Sequence, residues 1–320
     1  MEQYINGYRL LSPFTTAGAG SARWTFAEKD GKEYFLKEFL APVYPVDSIA
    51  MPDSIRASRR AACEAYEKSK SELYRAIRSA DNGNIVAIHE FFRHEAKYYI
   101  STPRINEAAM SSDQLAALPI EKLRIIIRVF INNMVRLENA GIVHADLKPT
   151  NIMIKPTMSG FFSLKLIDFD GSFFANDPPA DCEDLQGDPV YLAPEMFLAM
   201  SGETMKLSSK VDVFASGLII HEMLTGELPK FDADYDYAFE AALEGAQIRL
   251  ASGIPEDFAA MIRDMLNVDP EKRPSFGDLF ARITGAAPAA AVPAKAPEAA
   301  APATSEMPKK RRLMRPAGDL

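Results

Sequence analysis

The sequence predicts an α+β fold in two lobes, a small N-terminal lobe of antiparallel strands carrying one main helix and a larger, mainly α-helical C-terminal lobe. Three observations predict it. About the first hundred residues consist mostly of short runs of aromatic and branched residues separated by turn signals such as Asp30-Gly31. One long helix-forming stretch interrupts those runs. After Ser111 the apolar residues recur at helical spacing instead of alternating.

In chain order, strands are expected at 8–14, 23–28 and 32–39, an uninterrupted helix at 55–79, and strands at 85–93 and 97–105. Pro119 then opens a helix over 120–139, with Leu123, Ile126, Ile127, Phe130, Ile131, Met134 and Leu137 on one face and Gly141 as its stop. Short strands at 152–155 and 164–167 precede a loop rich in Pro and Asp, and helices follow from Lys210 to about Ile283. Residues 1–284 are read as one domain, its lobes meeting near 105/106. Residues 285–320 are read as a disordered Ala/Pro tail with a basic end.

With 48% hydrophobic residues the chain has enough apolar surface for a substantial core. Cys63 and Cys182 lie in no metal-binding or disulfide-type spacing, and the start lacks the basic and apolar regions of a signal peptide. No apolar run is long enough for a transmembrane segment, so a cytoplasmic location is expected. From Gly285 onward six basic residues face three acidic ones, a balance of +3 that leaves −11 of the total −8 on the rest. The acidic body argues against a nucleic-acid partner. The run Lys309-Lys310-Arg311-Arg312 marks an acidic partner as a candidate for the tail.

Phosphoryl transfer requires carboxylates, a divalent cation and fixed positive charge brought together. The segment His144-Ala145-Asp146-Leu147-Lys148-Pro149-Thr150-Asn151 supplies such groups and closely resembles the catalytic loop HRDLKxxN of protein kinases. Leu166-Ile167-Asp168-Phe169-Asp170-Gly171 is similar to the DFG segment, Gly187 to Glu195 to GTxxYxAPE, and Asp212 to Gly217 to DVWSxG. Arg273 matches the arginine that pairs with Glu195. Motifs in family order run from Gly18 to Arg273, nearly the whole globular part.

The resemblance implies a two-lobed protein-kinase-like fold using ATP and Mg2+, with Mn2+ as a substitute. It implies that Asp146 orients or accepts the substrate hydroxyl proton, Lys148 stabilises the transferring phosphate, and Asn151 and Asp168 bind the metal. Gly18, Gly20 and Ser21 would form the glycine-rich loop, Lys37 would contact the α- and β-phosphates, Thr102 would be the gatekeeper, Ile105 part of the hinge and Met153 the floor under adenine. Lys148 favours a protein substrate with a Ser or Thr acceptor over Tyr.

The chain departs from the family pattern at several positions. Arg23 replaces the third glycine, and Phe35 stands where an alanine usually faces adenine, a ring expected to crowd the nucleotide. Aligning Leu73, Tyr74 and Ile77 with the family's apolar face puts Lys70 at the helix glutamate position, so Glu67, with Glu64 behind it, is taken as the acid that holds Lys37. Asp170 replaces the DFG glycine, with Gly171 expected to assume its backbone freedom. Asp188 replaces a threonine and either pairs with Lys148 or repels Asp146. Ala145 replaces the arginine that reads an activation-loop phosphate, and Ser172 and Tyr191 are the only hydroxyls between Asp168 and Glu195. Activity without activation-loop phosphorylation is therefore expected. Two alternatives stay open: a pseudokinase scaffold, which would fail to bind nucleotide, and a small-molecule kinase of the aminoglycoside phosphotransferase type, which would lack Lys148 and the APE-like segment.

Overall fold

Turn chemistry shapes the first lobe. In the computed structural model, which describes residues 3–17, 22–47, 50–105, 109–232 and 235–285, β1 (Tyr4–Ile5) and β2 (Tyr8–Leu10) are joined by Asn6-Gly7 at φ 49° and 84°. β3 (Ala22–Lys29) and β4 (Lys32–Phe39) are joined by Asp30-Gly31 at 52° and 72°. Both pairs supply the left-handed residues that a tight hairpin between right-twisted strands needs. After α1 (Asp53–Ala80), β5 (Glu90–His94) and β6 (Lys97–Pro103) complete an antiparallel sheet of order β1-β2-β3-β4-β6-β5.

Two strand expectations are corrected. The strand expected over 8–14 ends at Leu10, and β1 precedes it. The strand expected from residue 85 begins at Glu90, because residues 84–86 are engaged elsewhere. Val86 N–H donates to the Leu166 carbonyl and Leu166 N–H to the Asn84 carbonyl, both at 2.8 Å. The apolar residues Ile85 and Ile88 are buried, yet lie in a connecting segment.

Alternation along the strands separates two cores. Ile5, Tyr8, Ala27, Tyr34, Leu36 and Tyr99 form a small cluster on the outer face of the sheet. Phe39, Tyr98 and Ile100 join Leu73, Tyr74 and Ile77 of α1 in a main core that continues through the second lobe.

The second lobe begins with α2 (Ser112–Ala116) and α3 (Ile120–Asn139), the latter burying the apolar stripe expected of it. β7 (Ile142–Val143) precedes the antiparallel pair β8 (Ile152–Pro156) and β9 (Phe162–Leu166), and β10 (Phe173–Phe174) returns to pair with β7. α4 (Pro194–Met200) and α5 (Lys210–Thr225) follow. Then come β11 (Lys230–Phe231), α6 (Ala238–Leu243), β12 (Ile248–Arg249), α7 (Glu256–Met265) and α8 (Phe276–Thr284). Residues 211–221 of α5 are all buried, as befits a helix at the centre of a lobe. α8 ends against Gly285 at φ 68°, and the tail expected beyond it, with its basic run, lies outside the described residues. Among the described residues, no helix is long and apolar enough to cross a membrane.

Glu195 opens α4 and is locked to Arg273, whose Nη1 and Nη2 donate to Oε1 and Oε2 at 2.7 and 2.9 Å. Arg273 also donates to the carbonyls of Asn267, Lys210 and Val268, so this fully buried cation has its donors well satisfied. Removing one partner strands the other's charge in the core. Glu195→Ala is expected to lower stability by about 3–5 kcal/mol, read as a fall in the urea unfolding midpoint.

Candidate active site

The site is assembled around the first turn of α5. Asp212, itself buried, accepts hydrogen bonds from the backbone N–H of His144 at 2.7 Å and of Ala145 at 2.9 Å. A carboxylate in the first turn of a helix also sits favourably in the helix dipole. Ala145 is held at φ 68°, a left-handed conformation that costs a residue with a Cβ roughly 1–2 kcal/mol. His144 is buried, Phe169 lies beside its ring, and its Nε2–H donates to the Ile167 carbonyl at 3.1 Å. Burial pulls the His144 pKa below its ordinary value, which favours the neutral ring.

Beyond this anchor the loop folds onto Asp146. Asn151, in the 3-10 turn Pro149–Asn151, donates from Nδ2 to the Asp146 carbonyl at 2.7 Å and to its Oδ2 at 3.2 Å. Lys148 Nζ lies 2.9 Å from Asp146 Oδ2 and 3.7 Å from Asp188 Oδ2. Of the two possibilities for Asp188, pairing with Lys148 is therefore the one observed. A Cβ at Gly187 would meet Leu192 Cδ1 at 2.6 Å, so a larger residue there would have to displace that side chain.

The second motif is tied to the first. Ile167 N–H donates to the Asn151 carbonyl at 3.0 Å, Ser172 Oγ–H to the His144 carbonyl at 3.0 Å, and β10 pairs with β7. Asp168 is the left-handed residue of this segment, at φ 62°, not Asp170 or Gly171. The expected backbone cost of replacing the DFG glycine, and Gly171's role in relieving it, therefore do not arise. Asp168 Oδ1 lies 3.1 Å from Lys37 Nζ, across the cleft between the lobes.

The expected pairing of Glu67 with Lys37 is overturned. Glu67 accepts from the Tyr98 hydroxyl at 2.7 Å and lies 3.5 Å from Arg93 Nε. It sits about one helical turn, roughly 5 Å, before the residue that faces the cleft, and so meets the sheet instead. Glu64 is exposed. Lys70 occupies the facing position and donates to the Asp170 carbonyl at 2.8 Å. Asp170 and Asp168 are the two ion-pair partners of Lys37. Burial pulls the Lys37 pKa down, but the two carboxylates outweigh it and push the value up to about 12.

The substitutions at Arg23 and Phe35 lie on opposite faces of the sheet. Arg23 lies on the outer face, where Nε and Nη2 donate to Glu38 at 2.7 and 3.0 Å, so it does not enter the cleft. Phe35 and Trp24 lie on the Lys37 face, since Trp24 opposes Lys37 and Thr102 opposes Phe35 in the sheet register. Their rings stack with centroids 5.0 Å apart. Thr102, Ile105 and Met153 are half-buried, and Gly18, Gly20 and Ser21 lie outside the described residues. Asp170 and Trp24 are not among the expected site residues, although an extra acid after Phe169 and a lysine in place of the helix acid are both visible in the sequence as a reversed charge pair.

The oxygen donors of Asp168 and Asn151, with Asp146 beside them, have the hard-ligand chemistry that suits Mg2+. Among the described residues, no group of three or more His, Cys, Asp or Glu forms a dedicated metal cage. Mg2+ typically binds through one or two carboxylates together with substrate phosphates, so the donor set fits. Asp212→Ala would leave unpaired the buried amide of His144 and the half-buried amide of Ala145, and release the strained Ala145. A stability loss of about 2–4 kcal/mol is expected in chemical denaturation.

A model of the protein kinase domain matches residues 54–282, a span that begins after Lys37. A probable serine/threonine-protein kinase of Dictyostelium discoideum, fhkE, is 29% identical over 223 residues, covering 65% of this chain and 30% of that protein. The ovarian-specific serine/threonine-protein kinase Lok of Drosophila melanogaster is 34% identical over 150 residues, 45% of this chain and 30% of its own length. A probable myosin light chain kinase of Dictyostelium discoideum is 27% identical over 226 residues, 67% of this chain and 68% of that protein.

Proposed function

The chain belongs to the protein kinase domain family, and from that premise we propose that it is an ATP-dependent Ser/Thr protein kinase. The observation that carries the reading is the cluster in which Asn151 and Lys148 hold Asp146, with the Asp168–Lys37 pair bridging the two lobes. In the proposed reaction the hydroxyl oxygen of a substrate Ser or Thr forms a bond to the γ-phosphorus as the bond to the ADP oxygen breaks. Asp146 accepts the hydroxyl proton. Lys148 offsets charge on the transferring group, and Lys37 orients the α- and β-phosphates. Asp168 and Asn151 would hold Mg2+, which when bound would supply positive charge against the charge that develops on the transferring phosphate. Two thiols with no disulfide, Cys63 and Cys182, support a reducing, cytoplasmic setting.

Activity without activation-loop phosphorylation is part of the proposal. The Ser172 side chain is buried and bonded to the His144 carbonyl, and the Tyr191 hydroxyl donates to Glu222 at 2.6 Å. Neither hydroxyl is presented to another enzyme, and Ala145 supplies no cation to read a phosphate.

One observation favours the scaffold alternative, the Trp24–Phe35 stack on the cleft face. Titration with Mg-ATP separates the two readings, since a well-folded chain that binds no nucleotide would be a scaffold. With magnesium, radiolabelled ATP and casein or myelin basic protein as acceptors, label is expected on Ser or Thr. Asp168→Ala should lower the rate by about 100-fold or more. Phosphatase treatment before the assay should leave the rate within about twofold, and a large rise on phosphorylating Ser172 or Tyr191 would overturn that part of the proposal.

A further inference from the structure

Lys37 is a desolvated ammonium on the central strand of the sheet, with 9% of its side chain exposed. To contact a phosphate it must be both charged and aimed. Those two demands are ordinarily met by an acid fixed nearby, and α1, the helix that faces Lys37, presents a lysine there instead.

The acid comes from the loop. Asp170 forms an ion pair with Lys37 through Oδ2, and its side chain is 11% exposed. Its other carboxylate oxygen, Oδ1, is buried and has no hydrogen-bond partner. That oxygen carries charge in a site with little water, which is tolerable only where further positive charge stands close. Lys70 provides it, with Nζ 2.8 Å from the Asp170 backbone carbonyl. Lys70 is itself half-buried and lies over the ring of Tyr74 at 5.9 Å. Burial pulls its pKa down while Asp170 and Asp184 push the other way. The groups facing Asp170 are thus Lys37 from the sheet, Lys70, Tyr66 and Tyr74 from α1, and Asp168 from its own loop.

We propose that Asp170 and Lys70 are a charge-reversed positioning pair. Asp170 holds Lys37 in place of a helix acid, and Lys70 fixes Asp170 to α1. The reversal keeps α1, β4 and the Asp168 loop in one chain of contacts, with the loop as its middle link. An acid borne on α1 would connect helix and strand directly. Here the polar link between Lys37 and α1 runs through Asp170. The pair rests on the reading of Lys37 as a phosphate contact, but its coupling is a property of the nucleotide-free protein.

A double-mutant cycle on the full chain tests it. Lys70→Glu, Asp170→Gly and the double variant are compared by thermal unfolding without nucleotide and by equilibrium titration with Mg-ATP. Each single change leaves like charges facing one another. Lys70→Glu sets a helix acid against the two loop carboxylates, and Asp170→Gly leaves Lys70 against Lys37. Each is expected to lower Tm by about 4 °C or more and to weaken Mg-ATP binding about tenfold. The double variant, with an acid on α1 and none at position 170, is expected to recover at least about half of both losses. If either single variant fails to fold, Lys70→Met, Asp170→Asn and their combination form the same cycle with milder changes, and a double loss smaller than the sum of the singles is again expected. Additive losses in Tm overturn the positioning pair, whatever the kinase assay gives. Non-additive Tm in a chain that transfers no phosphate would leave the pair standing and remove the kinase reading instead.

Discussion

The site depends on one carboxylate that takes no part in the proposed chemistry. Asp212, on the buried helix α5, receives two backbone N–H groups and so fixes a left-handed alanine next to Asp146. From that point the constraints propagate in order. His144 turns inward and donates to Ile167, Asn151 and Lys148 converge on Asp146, and Ser172 ties the following segment to the same loop. A loop of this kind has no regular ladder of its own, so its precision is borrowed from the most deeply packed helix of the lobe. The buried ion pair between Arg273 and Glu195 does the same for α4. Polar groups of this sort contribute geometry more than net stability.

Long, strongly periodic elements are legible in the sequence. α3 spans the expected residues, β4 likewise, and α1 differs by two residues at its start and one at its end. The segment 85–88 misleads for a physical reason. An apolar run signals burial, and burial beside β9 in a connecting segment leaves the same trace as burial in a strand. β1 escapes notice because two residues carry almost no periodicity, although Asn6-Gly7 announces the turn that makes it.

In the site, residues fixed by local motifs are readable and those fixed by tertiary partners are not. Asp146, Lys148, Asn151 and Asp168 lie in short segments whose internal spacing is their signature. The partner of Lys37 depends on how a helix and a loop approach one another, and no spacing encodes that approach. Arg23 shows the same limit from the other side. It stands in place of the third glycine of the expected loop, and strand alternation sends its guanidinium to the outer face, onto Glu38.

The reversal at positions 70 and 170 has an evolutionary consequence. Restoring the family residue at either position alone passes through an intermediate with like charges packed in a dry cleft. A lineage that carries both substitutions cannot readily lose one, because the intermediate is less fit than either end state. The two positions are therefore expected to change together, so that descendants retain the exchanged pair or revert at both sites. An ancestral arrangement, with an acid at 70 and glycine at 170, would be separated from this one by a valley two substitutions wide and by one unit of charge.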